Sequence, residues 1–435
     1  MAWMRWVVLL AVCAWTGCGS SSSVAVSDAL RARDVPRAVE LYAREPRPNP
    51  ADLRRIAEVV LVHEAGSLNA ASRARGFAAL RSTGTAGRDL LERLSALRGR
   101  PPVRVQALAL LARMGDAEAA AELRAVAGSH DPELRAAAVV GFEPARDAAQ
   151  LCRQLSDPAP AVRAAAAERL LRAPADAGTQ LALARAARHD PALAVRLAAL
   201  RALGGQGPSA LPAIEARLED EDEAARLAAI AALGAADPAR AGERFERWLR
   251  EDPRPESIEA ARVLAMALAA PPSAAREQLA RALAAPNNAL RAQAAVALSA
   301  LPAADARALA LARIAHEAVR SIALWLALAL GSKLQDGKDA LHALTRTPDL
   351  VAAQAHAELA RASDPAALPA LTALLRSPDR QVRALAIAVI ARELGRPQRV
   401  RAALYDRDPS VRLAAASAIL SATARPTRPA AARRH

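Results

Sequence analysis

An internal repeat of about thirty residues constrains this chain more than any other feature. One position recurs at intervals of 28 to 33 residues, and it is arginine at ten of its twelve occurrences, with Glu259 and Ala352 as the exceptions. Alanine follows three residues later in eleven of the twelve units. A unit of this length cannot bury its own apolar face, so neighbouring units must stack on one another. The twelve positions are 75, 104, 135, 163, 196, 226, 259, 291, 320, 352, 383 and 412.

Each unit has the pattern of two antiparallel helices. Around Arg196, the residues Val195, Ala199 and Leu203 are spaced by four and form one apolar stripe on a helix. Helix starts are predicted by Asp-Pro pairs, which occur at 131–132, 157–158, 190–191 and 408–409. Helix ends are predicted by the glycines at 204, 234 and 395. No segment alternates with period two, so the prediction is an all-α fold, an α-solenoid of about eleven to twelve hairpins.

The repeated motif resembles HEAT repeats of the short bacterial type. Residues 190–196 and 408–412 carry its Asp-Pro pair followed by Val-Arg before an alanine-rich second helix. The resemblance covers roughly residues 68–422 and implies a solenoid of HEAT-like helical hairpins, but it implies no particular activity. Before it, residues 26–67 are predicted to form an N-terminal helical cap. After it, the Arg- and Pro-rich residues 423–435 are predicted to be a disordered tail.

The first residues have the pattern of an export signal. Arg5 precedes ten apolar residues, 6–15, which would give about 15 Å of helix against a bilayer core of about 30 Å. This favours a signal peptide over a spanning helix. Thr16-Gly17-Cys18 and the serines after it resemble a bacterial lipoprotein signal, in which a small residue precedes a lipidated cysteine. The resemblance implies a signal peptide over 1–17, lipidation of Cys18 and a Ser-rich tether over 18–25.

The same resemblance implies a cellular location. A multiply acylated Cys18 would bury enough methylene groups for stable attachment to a bilayer. Gly19 follows it where an aspartate would mark inner-membrane retention. The implied localisation is therefore the bacterial cell envelope, at the outer membrane and facing the periplasm. Cys13 would leave with the signal, so Cys152 would remain alone, and we interpret it as a structural thiol without a disulfide.

Two interpretations of the recurring arginine stay open. In the first turn of a helix the macrodipole disfavours an arginine, and a loop aspartate four to six residues earlier, such as Asp131 before Arg135, would offset this. In one interpretation such pairs stack along the repeats as a structural ladder; in the other, the arginines form a row that binds a ligand. The arginines predicted to form the structural ladder are Arg135, Arg163, Arg196, Arg226, Arg291, Arg320, Arg383 and Arg412.

The sequence contains no pattern typical of catalysis or metal binding. None of the seven histidines has a second histidine four residues on. His63-Glu64 and His316-Glu317 do not follow the order found in deoxyhypusine hydroxylase, a HEAT-repeat di-iron enzyme, and residues 331–339 depart from a phosphate-binding loop in spacing and in their last residue. We therefore expect no cofactor, no metal and no enzymatic activity.

Two segments that contain tryptophan could lie either at the surface or in the core. Residues 244–250 place Phe245, Trp248 and Leu249 on one helical face beside arginines. This pattern fits packing within the array or a protein-binding hot spot, and the second interpretation assigns Arg244, Arg247 and Trp248. Trp325 lies in an aliphatic run and is predicted to belong to the core.

These observations favour one functional hypothesis and leave two alternatives. The favoured one is a membrane-anchored envelope lipoprotein that binds or scaffolds other proteins without catalysis, with unidentified proteins and, through Cys18, a lipid bilayer as its partners. The net charge of +14 permits a binder of an anionic envelope polymer or lipid surface, with strong salt dependence. An unrecognised HEAT-like enzyme is the third hypothesis. Nucleic acid is not expected, since aromatic residues make up only 2% of the chain.

Overall fold

The computed structural model describes residues 20–32, 34–44, 50–268 and 273–423. All regular elements in these ranges are helical, and the ranges contain no strand. The predicted α-solenoid fold class is confirmed. Of the helices described, none combines the length and hydropathy that crossing a bilayer requires. Cys18, the predicted signal peptide and the predicted tail beyond Thr423 lie outside the described residues.

The chain divides into two compact units. The central unit is Arg98–Thr347, and the terminal unit combines Met1–Leu97 with Pro348–His435. The first part of the terminal unit contains α1 (Ser20–Arg31), α2 (Val35–Arg44), α3 (Pro50–Ala65), α4 (Ala70–Ser82), a 3₁₀ helix (Gly84–Gly87) and α5 (Arg88–Ser95). α1 begins at Ser20, so helix occupies most of the segment predicted to be a tether.

The central unit is a succession of helical hairpins. Its helices are α6 (Pro101–Arg113), α7 (Ala117–Val126), α8 (Pro132–Val140), α9 (Pro144–Gln154), α10 (Pro160–Leu170), α11 (Ala177–His189), α12 (Leu193–Gly204), α13 (Leu211–Glu215), α14 (Glu223–Ala236), α15 (Pro238–Arg250), α16 (Pro255–Ala267), α17 (Ser273–Ala284), α18 (Asn288–Ala297), α19 (Ala303–Ile314), α20 (Arg320–Leu330) and α21 (Gln335–Leu344). Short 3₁₀ helices lie at Pro208–Ala210 and Leu298–Ala300.

The recurring position lies on every second helix of the central unit. The helices α6, α8, α10, α12, α14, α16, α18 and α20 pack side by side in chain order, and we call them the arginine layer. The helix before each of them in the chain, from α7 to α19, packs against it to complete a hairpin. The predicted stripe is confirmed as core, since Val195, Ala199 and Leu203 are all fully buried.

Glycines allow close contact within the arginine layer. Gly234 was predicted to end a helix, but it lies inside α14. A Cβ atom built there would lie 1.9 Å from Cγ1 of Val263 in α16. The residue is therefore glycine because the neighbouring helix packs directly on its backbone.

Gly395, in the terminal unit, was also predicted to end a helix. It has a φ of +62° and lies in a turn, where this left-handed conformation favours glycine.

Two of the four predicted capping aspartates cap helices. Asp131 and Asp408 accept hydrogen bonds from the backbone of α8 and of the last helix, as predicted. Asp157 and Asp190 lie three residues before the first residues of α10 and α12, which begin at Pro160 and Leu193. Each of these two accepts a backbone N–H two residues on, and the carboxylate remains free to bind another group.

The terminal unit brings together helices from both ends of the chain. Its second part contains α22 (Leu350–Arg361), α23 (Ala367–Leu374), α24 (Arg380–Ala388), a π-helical turn (Val389–Glu393), a 3₁₀ helix (Pro397–Tyr405) and α25 (Pro409–Ala422). α25 packs on α3 and α4, and α2 packs on the 3₁₀ helix. The buried Tyr42 hydroxyl lies 3.3 Å from Gln398 Oε1, and Arg54 donates to the Thr423 carbonyl at 3.2 Å.

Candidate functional site

Arg163 shows how a recurring arginine can contact two loops at once. Its Nη1 donates to the carbonyl oxygens of Asp157 and Pro158 in the loop before its own helix, at 2.9 and 3.1 Å. Its Nε and Nη2 donate to the two carboxylate oxygens of Asp190, at 2.6 and 2.9 Å. Asp190 belongs to the loop of the next hairpin. One guanidinium therefore ties two consecutive loops together by a two-point, charge-assisted contact.

The same arrangement recurs along the chain. Arg135 and Arg383 form the two-point contact with the next hairpin at distances of 2.8 to 2.9 Å. Five arginines donate through Nη1 to the backbone carbonyls five and six residues earlier, in the loop before their own helix, and each also binds a carboxylate of the next hairpin. We call these contacts the arginine–carboxylate ladder; its pairs are Arg135–Asp157, Arg163–Asp190, Arg226–Glu256, Arg291–Glu317 and Arg383–Asp406.

The carboxylate partner differs from the one that the spacing suggested. Asp131 was expected to pair with Arg135 within one hairpin, but it caps α8 instead. A signal for the true partner was available: an aspartate precedes the next arginine by six residues at 157, 190 and 406. After Glu259 and Ala352, where the arginine is missing, the corresponding residues are Ala285 and Ser377.

The ladder contacts lower the pKa of four carboxylates, those of Asp157, Asp190, Glu256 and Glu317. Hydrogen bonds from Arg135 hold the pKa of Asp157 below its ordinary value, although burial opposes this. Burial is the largest influence on Asp190 and would raise its pKa, but hydrogen bonds from Arg163 and from the Ala192 N–H together leave the pKa lowered. The pKa values of Glu256 and Glu317 are lowered against burial in the same way.

Of the eight arginines predicted to form the ladder, three depart from this arrangement. Arg320 donates to the Leu344 carbonyl at 2.8 Å. Arg412 has no later hairpin, and its Nη2 lies 3.8 Å from a carboxylate oxygen of Glu64 in α3. Arg196, the third, donates to the Asp190 carbonyl at 3.2 Å. In the first unit, Arg73 rather than residue 75 contacts the carbonyls five and six residues before it.

Arg196 borders a cavity of about 700 Å³ between two successive loops. Its Nη1 donates to the Asp190 carbonyl at 3.2 Å, but its Nη2 lies 3.7 Å from Asp222 Oδ2. Nowhere in the described ranges does another group hydrogen-bond Nε or Nη2 of Arg196. The cavity is lined by Arg188, His189, Asp190, Arg196, Arg217, Glu219, Asp220, Glu221 and Asp222.

The aromatic segment of α15 is packed on its own unit. Phe245 is fully buried, and its ring stacks on Trp248 with centroids 5.4 Å apart. The guanidinium of Arg254 lies 5.5 Å from the centroid of the Trp248 ring. Arg247 is exposed and pairs with Glu251 at 3.0 Å, while Arg244 is exposed. Trp248 thus has both a ring and a cation as neighbours within its unit.

Trp325 is not part of the core, contrary to the prediction. It is 40% exposed on α20, whose buried residues include Leu324 and Leu326. Two other helices of the arginine layer also expose large apolar side chains: Val296 on α18 is 38% exposed and Met266 on α16 is 65% exposed. Met266 lies seven residues after Glu259, as Leu203 does after Arg196, so the stripe predicted it to be buried and that prediction is wrong. Sequence reasoning did not single out Val296, which lies two residues before the buried Leu298. Three successive helices of the arginine layer, α16, α18 and α20, therefore each expose an apolar side chain to solvent.

The described residues hold no obvious chemical centre. No group of three or more histidine, cysteine, aspartate or glutamate side chains within them is arranged to hold a metal ion. Cys152 is a free, half-buried thiol whose sulfur lies 3.6 Å from the Thr179 hydroxyl. The surface features with the clearest capacity for recognition are the exposed apolar residues and the cavity at Arg196.

Comparison with known proteins matches part of the chain to a family. Residues 179–265 match the family model of HEAT repeats. A search of curated proteins finds no match. The YibA protein of E. coli is similar in structure, with 16% identity over 65% of this chain and 95% of that chain and a TM-score of 0.32.

Two larger solved structures are also similar. The karyopherin Kap121p matches at 13% identity over 84% of this chain and 48% of that chain, with a TM-score of 0.34. UNC-45 from Drosophila melanogaster matches at 11% identity over 91% of this chain and 70% of that chain, with a TM-score of 0.30. The chain is thus built from helical hairpins and contains HEAT-like repeats, matched directly over residues 179–265.

Proposed function

We propose that this chain is a non-enzymatic protein-binding scaffold held in the bacterial cell envelope by a lipid anchor. The observation that carries the binding part is a set of exposed apolar side chains on the arginine layer. Met266, Val296 and Trp325 are exposed there on three successive helices. Exposed tryptophan and methionine beside arginine have the composition of protein-binding surfaces. A stack of helices also offers an extended surface on which such a partner could lie.

The use of the arginines favours this proposal over electrostatic binding of an anionic polymer. Five of the recurring arginines hold carboxylates of the next hairpin and are largely buried with them. Their charges are matched within the molecule, so they add little to the field outside. The five ladder arginines are therefore not available to a polyanion, although these neutral pairs leave the net charge of +14 unchanged.

The scaffold proposal is tested by changing the exposed apolar residues. In cells that produce the full chain, the double variant Met266→Ser/Trp325→Ser is compared with the wild type by in vivo crosslinking and purification. We expect recovery of the crosslinked partners to fall about tenfold while the level of the protein is unchanged. The matched control, Leu181→Ser/Leu311→Ser, alters exposed leucines on helices outside the arginine layer and should retain partners. Equal recovery from both variants, or no partner with the wild type, would refute the proposal.

The anchor is proposed from the sequence resemblance around Cys18. The change Cys18→Ala removes the thiol that would carry lipid, so we expect the protein to leave the membrane fraction or to keep its signal peptide. Fractionation and the mass of the mature chain are measured, with Cys152→Ala as the control. A Cys18→Ala protein that is processed and fractionates as the wild type does would exclude lipid anchoring.

A further inference from the structure

The ladder is open at Arg196, and the reason there lies in a single residue. Asp157 and Asp190 each lie six residues before a recurring arginine and bind the arginine of the preceding hairpin. Asp220 lies six residues before Arg226, so by analogy its carboxylate should bind Arg196. Asp220 does accept the N–H of Asp222 through Oδ1 at 3.0 Å, as its counterparts do. Its other oxygen, however, accepts Nη1 of Arg217 at 3.1 Å. Arg217 therefore holds the carboxylate that Arg196 would otherwise bind.

No other loop of this kind has such a competitor. The residue three positions before the loop aspartate is Gln154 for Asp157, Ala187 for Asp190 and Ala403 for Asp406. In those three loops the aspartate is bound by the preceding arginine through two points. A cation three residues upstream thus distinguishes the open step from the closed ones.

The Nε and Nη2 of Arg196 are consequently left at the cavity without a hydrogen-bonding carboxylate. In Arg135, Arg163 and Arg383 these two nitrogens both hold an aspartate from outside their own hairpin. The closed pairs therefore show which group suits the empty position beside Arg196. It is a carboxylate that accepts hydrogen bonds from two parallel N–H donors. We propose that the cavity beside Arg196 binds an acidic side chain of a protein partner in the place that a ladder aspartate occupies elsewhere.

The charges around the cavity define the partner further. Asp190 and Asp220 are matched by Arg163 and Arg217, whereas Arg196 has only the long ion pair of its Nη2 with Asp222 at 3.7 Å. Glu219 and Glu221 are exposed at the mouth. These carboxylates repel a run of acidic residues and attract basic ones. The segment that fits is a glutamate or aspartate flanked by lysine or arginine. This inference rests on the proposed protein-binding function and names one of its contact sites.

The binding test uses a peptide with that charge pattern. The probe is fluorescein-labelled Gly-Lys-Glu-Lys-Gly, and its control is Gly-Lys-Gln-Lys-Gly, both titrated by anisotropy with the full chain. The two peptides carry the same dye and the same two lysines and differ by one negative charge, so the protein variants are needed to separate the site from general attraction of that charge. We expect the glutamate peptide to bind the wild type at least about tenfold more tightly than the glutamine peptide. Equal affinities, or no binding of the glutamate peptide, would overturn the inference.

Two variants of the protein separate the site from general electrostatics. Arg196→Gln removes the donors and should weaken binding of the glutamate peptide about tenfold. Arg217→Gln gives the loop the residue found at Gln154, so that Asp220 is free to pair with Arg196; binding should again be lost, and resistance to urea should not fall. The matched control is Arg201→Gln, an exposed arginine 3.6 Å from Glu168, which should bind normally. Equal affinities of all three variants would also overturn the inference.

The outcomes distinguish this inference from the scaffold proposal. If the chain captures its partners in cells and Arg196→Gln captures them equally well, the scaffold function stands and the carboxylate site is refuted. If the glutamate peptide binds as expected but the chain captures no partner, the site stands and the scaffold function fails.

Discussion

Both Nε and Nη2 of Arg383 donate to the carboxylate of Asp406, at 2.8 and 2.9 Å, although the two residues are 23 positions apart in the sequence. Arg383 is buried, and its Nη1 also binds the carbonyls of Ser377 and Pro378. Such a contact makes the orientation of one hairpin depend on the loop of the next. Its removal would leave Asp406 as a mostly buried charge without its cation.

Loss of this pair should be costly. We expect Arg383→Gln to lower the free energy of unfolding by about 2–4 kcal/mol, since one partner of a buried ion pair remains. The measurement is urea unfolding followed by circular dichroism. Arg380 on the same helix provides the control, because it is exposed and lies 3.6 Å from Asp408 in the same neighbouring loop. Arg380→Gln should cost less than about 1 kcal/mol; similar losses in both variants would contradict a structural role for the ladder.

The ladder predicts a loss of stability in acid. The pKa values of Asp157 and Asp190 are lowered by folding. Their stabilising contribution is therefore complete above the pKa of the unfolded chain, about 3.9 for aspartate, and is lost as the pH falls through their lower folded values. We expect urea midpoints to be nearly constant from pH 7 to about pH 5 and to decrease below about pH 4.

A double variant checks this pH dependence. Asp157→Asn/Asp190→Asn removes two of the titrating groups, so its urea midpoint should be lower at pH 7 and should decrease less steeply between about pH 4 and pH 2. A variant whose midpoint falls as steeply as that of the wild type would show that these carboxylates do not control the acid response.

Close packing at Gly234 gives a third prediction. Gly234→Ala forces Val263 or its helix to move, because the added Cβ would lie 1.9 Å from Cγ1. Such overpacking costs about 1–3 kcal/mol. Gly242 lies in α15 with nothing within 4 Å of an added Cβ. Gly242→Ala should therefore stabilise the chain, by up to about 1 kcal/mol. If thermal unfolding orders the two variants the other way, direct packing of α16 on α14 is wrong.

The aromatic segment of α15 allows its two interpretations to be separated. Phe245→Ala removes a fully buried ring beneath Trp248 and should cost about 3–5 kcal/mol of unfolding free energy. Arg247 is 89% exposed, and Arg247→Ala should leave unfolding unchanged within about 0.5 kcal/mol. If Arg247→Ala nevertheless reduces the capture of partners, a binding role of this residue is supported; if Phe245→Ala is neutral in unfolding, the packing described here is contradicted.

The repeat was predictable because its signal is local and is repeated many times. The stripe of Val195, Ala199 and Leu203 follows from helical periodicity alone, and each unit repeats the observation. The exposure of Trp325 was predictable on the same basis but was missed. It lies midway between Ala323 and Ala327 of the stripe, which places it on the opposite side of α20. Its aliphatic neighbours suggested burial, although helical phase determines exposure.

The ladder partners were harder to predict because they depend on stacking. Within one hairpin, Asp131 and Arg135 have a spacing that permits an ion pair, and nothing in that hairpin shows that the arginine extends to the next loop. The effect of Arg217 on Asp220 is harder still, since it alters a contact made by Arg196 without touching it. Such competition between side chains becomes visible only when successive loops are seen together.

The packing of α25 on α3 has a consequence for biosynthesis. Tyr42 and Gln398 are 356 residues apart, so the N-terminal helices leave the ribosome long before the surface that buries them has been made. The central hairpins pack only on their near neighbours and so need no distant part of the chain to bury their apolar sides. The first helices must wait until translation is nearly finished. A ribosome that stalls late therefore leaves the apolar side of α2 and α3 uncovered, which makes the nascent chain a client for chaperones at its oldest end.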